Sequence, residues 1–509
     1  MDARLYHELT AHDADSVPFV PRDDPRLLQD LVPNERATWP WSCKRYADGL
    51  PATALPRDWP PAGPALEVLA GLTVPPPLDL ASLARVLHLS AGVVRVAEPD
   101  GKPAILFRAA GSAGGRFPLE LYVAARGLAG LADGVHWYDP VGHALVQVGP
   151  AAADGVSTLA VTGIPWRTGW RYAERGYRHL FWDAGTMLSQ ALALAGPARL
   201  WTRFPDVAVA RLVGADGRHE LPLALVALED GEPAVDAGGD AVAGAVDAAP
   251  RELPLVTAAF RAGEEDALGE PWPAPPPLAG AAAAPLAPAT SAAPTTSATP
   301  AASAAPTTSA TSATSAPAAS LDDVILRRGS TRRMDATASV PREALAFSMA
   351  AAMRGIDVPH WVAVHAVDGL EPGLYRWPDL ANPLRTGDLR QELLRVCWDQ
   401  ELGRDAAYVV VAAADLDALG DRGYREAQLA AGLVEGRLHL AAYALGHGAS
   451  GMTFLDSEIP ALLGEPLAGL LLTCVGVPAY RSRSGGRPGA PTAIVIPESR
   501  RTSPEDADA

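Results

Sequence analysis

The residues with the densest chemical potential are Arg327-Arg328-Gly329-Ser330-Thr331-Arg332-Arg333, four arginines and two hydroxyls within one short run. Guanidinium forks take phosphate oxygens bidentately, and hydroxyls fill the remaining lone pairs, so this spacing suits a phosphate dianion. A solvated basic patch has the same composition. A second segment, Gly111-Ser112-Ala113-Gly114-Gly115, precedes the strand-like LELYVAA. Its small side chains let a planar ligand lie against backbone, with Ser112 as a donor. A third, Gly446-His447-Gly448-Ala449-Ser450-Gly451, follows a long helical pattern and reads as a loop with exposed backbone N–H groups. His179 and Asp183 stand one helical turn apart. Their spacing reads as a surface contact, with a proton-handling pair as the alternative.

Some chemistry is excluded by what is missing. All but two of the 42 basic residues are arginine, so only Lys44 and Lys102 are open to a lysine-dependent mechanism. No HExxH, Walker or Rossmann pattern appears, which leaves metal-assisted and nucleotide-phosphate hydrolysis without support. Cys43, Cys397 and Cys474 form no CxxC pair, so neither a disulfide framework nor a zinc ribbon is indicated. The formal charge of −17 disfavours nucleic acid and anionic membranes as partners. The polar, acidic N-terminus and the absence of a long apolar run point to a cytoplasmic protein.

These segments need scaffolds to hold them. From Ala274 to Ser320 the chain carries no charge, aromatic or β-branched aliphatic residue, and such a stretch cannot offset its ordering entropy. As a coil it spans on the order of 40 Å, enough to cross the face of a domain. The chain therefore divides into an extension (1–60), a first domain (61–270), a tether (271–320) and a second domain (321–509). The two domains are copies. Gly130–Tyr138 answers Gly369–Trp377, each after a strand-like run and each reading as a turn into a second strand. Arg175-Gly176-Tyr177-Arg178 recurs as Arg422-Gly423-Tyr424-Arg425, opening a long Ala/Leu-rich helical pattern with Gly185 and Gly432 at one offset. Phe204-Pro205-Asp206 then matches Phe454-Leu455-Asp456, ahead of Gly214 and Gly464. The expected fold is two copies of one α+β domain.

This ordered set resembles the FMN-dependent nitroreductase superfamily. Arg327–Met334 looks like its arginine-rich phosphate motif. The Ser-Ala-Gly turn before Glu120-Leu121-Tyr122-Val123, the hairpin ending at Tyr138-Asp139-Pro140, and the Arg171–Arg178 helix start resemble its SagB/ThcOx-type dehydrogenases. Tyr6-His7-Glu8-Leu9-Thr10, Lys44, Tyr46 and Leu55-Pro56 extend the resemblance. It implies a mostly antiparallel sheet flanked by helices in each domain, and FMN held at a dimer interface. The halves have diverged in a complementary way. The first keeps Ser112, Ala113 and Gly114 but has no arginine in Ala65–Pro77. The second keeps Arg328, Ser330, Arg332, Ser450 and Gly451 but has no Ser-Ala-Gly. The resemblance thus implies an intramolecular pseudo-dimer with one FMN site, to which Arg487 is a further phosphate candidate; pairing by exchange between chains and higher oligomers stay open.

Azoline-oxidising relatives carry Lys-Tyr where this chain has Arg171-Tyr172. Arginine stays protonated and cannot act as a base, which leaves it to bind a carboxylate or neutralise an enolate, with Tyr172 as acid or base. A packed aromatic is the other reading of Tyr172. The implied activity is an FMN-dependent dehydrogenase or oxidase, passing hydride from a heterocyclic or peptide-like substrate, free or carrier-bound, to flavin N5 in natural-product tailoring. The alternatives are an NAD(P)H-dependent nitro or quinone reductase and a degenerate scaffold that docks partner enzymes.

Overall fold

The computed structural model describes residues 2–15, 23–61, 63–73, 76–99, 103–279 and 319–495. Most of the expected tether (280–318) and Lys102 lie outside the described residues. In chain order the first half contains α1 (Ala3–Thr10), β1 (Ala52–Ala54), α2 (Ala65–Ala70), α3 (Leu80–Ala91), β2 (Val93–Ala97), β3 (Ile105–Arg108), β4 (Leu119–Ala125), β5 (Gly134–Asp139), β6 (Ala144–Gly149), β7 (Thr158–Gly163), α4 (Pro165–Tyr172), α5 (Gly176–Leu194), β8 (Arg199–Trp201), α6 (Asp206–Val213), β9 (Leu221–Ala227) and α7 (Pro254–Ala262). The second contains α8 (Leu321–Arg327), α9 (Arg342–Ala352), β10 (His360–Val364), β11 (Gly373–Arg376), β12 (Arg385–Thr386), α10 (Arg390–Val396), α11 (Glu401–Asp405), β13 (Tyr408–Ala414), α12 (Leu416–Ala444), β14 (Gly448–Met452), α13 (Ile459–Leu463), β15 (Ala468–Gly476) and β16 (Thr492–Ala493).

The repeat read from the sequence is a repeat of topology. One sheet runs β1-β6-β5-β4-β7-β9-β8 and the other β12-β11-β10-β13-β15-β14, so six strands correspond in the same order. All pairings within these two sheets are antiparallel. The central strands LELYVAA and YVVVAAA are buried along their whole length, since helices or loops cover both faces. Gly134 and Gly373 open the matching hairpin strands β5 and β11. A third, small sheet joins the halves, because β16 from the end of the chain pairs parallel with β2. The expected α+β architecture of antiparallel sheets flanked by helices is the observed one.

The long helices of the two copies meet in the middle of the molecule. Helix α5 is buried almost throughout, its polar residues Arg178, His179, Asp183 and Gln190 included. Gly185 and Gly432 mark where it crosses α12. A Cβ on Gly185 would stand 2.4 Å from the Leu429 carbonyl oxygen, and one on Gly432 2.5 Å from that of Trp182. Only glycine lets these backbones approach so closely. Gly420, with φ +63°, breaks α12 just before its repeated Arg-Gly-Tyr-Arg run.

That repeated run forms a reciprocal lock. Arg175 and Arg178 each place Nη1 on Asp456, at 2.6 and 2.7 Å. Arg422 and Arg425 do the same to Asp206, at 2.6 and 2.9 Å. Each copy thus supplies two arginines to the other copy's aspartate, the pattern of a two-fold interface. All six side chains are buried. Burial alone would raise the Asp456 carboxyl, but Arg175 and Arg178 outweigh it and hold it far below the usual carboxylate range. The carbonyls of His7 and Thr10 on α1 take further N–H groups of Arg178 and Arg175, so the N-terminal helix closes one end of the lock.

Replacing Asp456 with Ala leaves two buried guanidinium groups short of their counter-charge, and loss of one partner of a buried pair costs about 3–5 kcal/mol. Chemical denaturation should read that loss. Asp58→Ala, which removes an exposed pair with Arg487, should change stability by no more than about 0.5 kcal/mol.

Candidate functional site

A cavity of about 440 Å³ lies between the halves beside the helix crossing. It is within the size range of small-molecule sites. The first half supplies the turn Gly111–Gly114, Arg171 and Tyr172 at the end of α4, and His179, Asp183 and Thr186 from α5. The second supplies Ser330 and Arg332 after α8, Glu435 from α12, and Ser450 to Thr453 on and after β14. The structure therefore brings together Ser112, Ala113, Gly114, Arg171, Tyr172, Ser330, Arg332, Ser450 and Gly451, which come from both copies.

Two placements correct the sequence reading. Arg487 lies outside the cavity, exposed and paired with Asp58 at 2.9 Å, because the C-terminal segment turns away to reach β2. His179 and Asp183 are not a surface pair: both are buried and both line the cavity, since every face of α5 is enclosed. The glycine-rich run after α12 also differs from expectation. It forms β14 and pairs with β15, with Ser450 opposite Cys474.

Asp183 organises the first wall. Its Oδ2 accepts the Ser112 hydroxyl at 2.5 Å and its Oδ1 accepts the Ala113 N–H at 2.9 Å. The Ser112 Oγ in turn accepts the Phe117 N–H at 2.8 Å, closing the turn. Gly114 has φ +57°, and a Cβ there would stand 2.6 Å from the Tyr172 hydroxyl. Glycine at this position is thus required by conformation and by space. Burial pushes the Asp183 carboxyl up to about 7, against the two hydrogen bonds it accepts and helped by the charge of Glu435.

The second wall is held just as locally. Ser330 bridges to Ala449, the Thr331 N–H donates to the Ala449 carbonyl at 2.9 Å, and the Tyr443 hydroxyl donates to the Gly329 carbonyl at 2.9 Å. These bonds press the arginine-rich segment onto β14. Arg328 is buried and reaches into the first half, where its Nη2 donates to the Ala109 carbonyl at 2.6 Å. Its Nε and Nη1 have no partner. Nη1 would stand 3.2 Å from a Cβ on Gly111, so Arg328 sits behind the turn and not on the cavity wall. Arg332 is exposed at the cavity, with no side-chain ion pair among the described residues.

Acid–base options in the cavity are narrow. Among the described residues no lysine lines it: the Lys44 ammonium is buried 2.5 Å from Glu220 and 2.7 Å from the Tyr122 hydroxyl. Burial raises the Tyr172 hydroxyl, opposed by Arg171, so it is protonated at neutral pH and serves as a donor. Burial, then Arg175 and Arg178, push His179 well below its ordinary value, leaving a neutral ring 4.2 Å from that of Tyr172. Asp183 is the group whose charge changes near neutrality.

The sequence reading missed Glu435, whose Oε1 lies 3.5 Å from His439 one turn on. An acid and a histidine at i,i+4 inside an Ala/Leu-rich helix were the available signal. It also missed Trp398, which lines the cavity at φ +57° beside Asp399 at φ +56°. Two successive non-glycine residues in the left-handed region mark a loop whose conformation is imposed by its surroundings.

No protein-family model matches the chain, and neither does any curated protein. Among solved structures, a nitroreductase-type protein from Anabaena variabilis superposes with a TM-score of 0.64 at 23% identity, over 94% of this chain and 99% of that one. The E. coli microcin synthetase McbBCD complex with truncated pro-MccB17 gives 0.25 at 20% identity, over 34% of this chain and 68% of that one. NADPH:FMN oxidoreductase from Vibrio harveyi, complexed with NAD+, gives 0.24 at 19% identity over 32% and 70%. The first match establishes a nitroreductase-like α+β fold along nearly the whole chain.

Because burial raises the Asp183 carboxyl, folding favours its protonated form. That contribution is complete below about pH 4 and is lost as the pH climbs through about 7. Wild type should therefore lose up to about 4 kcal/mol relative to Asp183→Asn between these limits. Thermal unfolding across this pH range checks it; parallel profiles would contradict the assignment.

Proposed function

We propose that the chain is an FMN-dependent oxidoreductase with a single flavin site, shared between its two halves. The observation that carries this reading is the convergence of the Ser112–Gly114 turn of one copy with Ser330, Arg332 and the Ser450–Gly451 strand of the other on one cavity. The residues fit the cofactor. Glycines at 111, 114 and 451 let Arg328, Tyr172 and Glu435 pack directly against the backbone of both walls, so none of these three glycine positions puts a side chain into the cavity. Ser330 and Arg332 offer a hydroxyl and a free guanidinium to the phosphate, and Arg328 adds a buried positive charge behind the turn with two unpartnered nitrogens. The nitroreductase-like fold supports the same assignment.

FMN, when bound, supplies an acceptor for hydride at N5. The chain's own residues do the rest. Asp183 fixes the turn that would support the cofactor, and Trp398, Tyr172 and His179 provide aromatic surface for a planar substrate. Tyr172 donates a hydrogen bond or a proton into the cavity, and Arg171, which also holds Asn34 at 3.2 Å, offers positive charge to a carboxylate or enolate. The likeness of Ser112–Gly114, Arg171–Arg178 and the flanking hairpin to SagB/ThcOx-type dehydrogenases supports a heterocyclic or peptide-like substrate and a dehydrogenase or oxidase reaction.

The purified protein should carry a flavin band near 450 nm. Arg332→Gln should weaken FMN binding by about tenfold or more, as loss of a charge-assisted phosphate contact does, measured by quenching of FMN fluorescence. Unchanged affinity would contradict the phosphate assignment. Slow bleaching of the bound flavin by NAD(P)H fits the dehydrogenase reading, and rapid bleaching would assign the reductase chemistry in its place.

A further inference from the structure

The internal two-fold that creates the cavity also creates its counterpart on the opposite side of the helix crossing. There a second cavity of about 310 Å³ is built from the matching elements: the end of α2, the far part of α5, β8, the end of α9, and α12. Where the first cavity has Thr186, the repeat places Leu433; where it has Ser450, the repeat places Leu200. The Gly448–Met452 equivalent is Arg199–Trp201, and Arg354 occupies the region that the Ser-Ala-Gly turn fills in the first half. A flavin cannot use this site. A Cβ on Gly71 would already stand 2.1 Å from the Arg354 Nη2, and Trp272 to Pro275 form part of the wall.

The site has not become inert packing. Its lining includes Arg199, Arg354 and Arg437, and among the described residues no carboxylate lines it. None of the three makes an ion pair among the described residues, in a chain of charge −17; Arg199 is exposed, and Arg354 and Arg437 are partly buried. Arg354 spends its donors on the carbonyls of Pro276, Leu69 and Pro275. Arg437, also on the wall, sends Nη1 to the carbonyls of Ala352 and Arg354, and its Nη2 and Nε make no hydrogen bond among the described residues. Burial, and then the charge of Arg354, push Arg437 down to about 10. Enclosed charges are retained where a counter-charge meets them. Apart from Thr73 and Ser189 the remaining side chains of the wall are apolar, with Leu192, Leu200 and Trp272 among them.

We propose that this second cavity is a ligand site for a small amphipathic carboxylate, its charged end at Arg437 and Arg199 and its apolar body against Leu192, Leu200 and Trp272. The site is independent of the flavin reading, because it shares no lining residue with the first cavity.

Calorimetric titration with octanoate, on the full chain with and without added FMN, tests it. One saturable site is expected, with octanoate at least about tenfold tighter than octanol, since only the former answers the guanidinium charge. Arg199→Gln should weaken octanoate about threefold and leave octanol unchanged; the Arg199 side chain is exposed and makes no hydrogen bond among the described residues, so this variant should melt as wild type does. Leu192→Trp should abolish binding of both by filling the space. Equal affinity for octanoate and octanol would overturn the proposal. So would octanoate binding that neither variant changes, or octanoate that competes with FMN. A protein that takes up no flavin would refute the oxidoreductase reading and still leave the octanoate titration readable.

Discussion

The close crossing of α5 and α12 at Gly185 and Gly432 is the contact on which the molecule depends. Side chains at either position would drive the helices apart, because the nearest atoms are backbone and cannot yield. The crossing brings each Arg-Gly-Tyr-Arg run to the other copy's aspartate, and the two ion-pair clusters then fix the rotation of one half on the other. Burying six charges is tolerable because each carboxylate meets two guanidinium groups and some of the surplus N–H groups find carbonyls. What two separate chains achieve by association, this chain achieves within itself. The concentration of one half around the other is set by the connecting segment and not by expression level.

A two-fold arrangement offers two equivalent grooves beside the crossing, and joining the copies in one chain frees each groove to change alone. One groove has kept small residues, hydroxyls and a free arginine around a polar cavity. The other has exchanged them for leucines and is partly walled by Trp272 to Pro275, with three arginines left at its edge. Asp183 shows how tightly the retained groove is held. A buried carboxyl bonded to a hydroxyl and a backbone N–H fixes the turn, at the cost of a raised protonation equilibrium.

Much of this was legible in the sequence because the signals were local or repeated. The Arg-Gly-Tyr-Arg runs, Gly185 and Gly432, and the matching hairpins carry the same spacing in both halves, and spacing is what a helix or strand preserves. The Ser112–Gly114 turn and the Ser330–Arg332 segment stood out in composition, but only the family resemblance singled them out from a plain turn and a solvated basic patch. What could not be read locally was decided by enclosure. His179 and Asp183 at i,i+4 look like an exposed pair until the rest of α5 is seen to be covered on every side. Arg487 sits in a basic, glycine-rich context, yet the parallel pairing of the C-terminal strand with β2 carries it away. Arg328 belongs to the expected motif, but Gly111 lets its guanidinium pass behind the turn. The role of Trp398 arises from a left-handed backbone that no residue type at that position announces.

The central claim is that divergence of the copies leaves one flavin site, built from both halves. Counting FMN bound per chain by absorbance after equilibrium dialysis tests it most directly. One flavin per chain is the predicted result. Two per chain would show that the second groove still functions, and none would remove the basis of the oxidoreductase assignment.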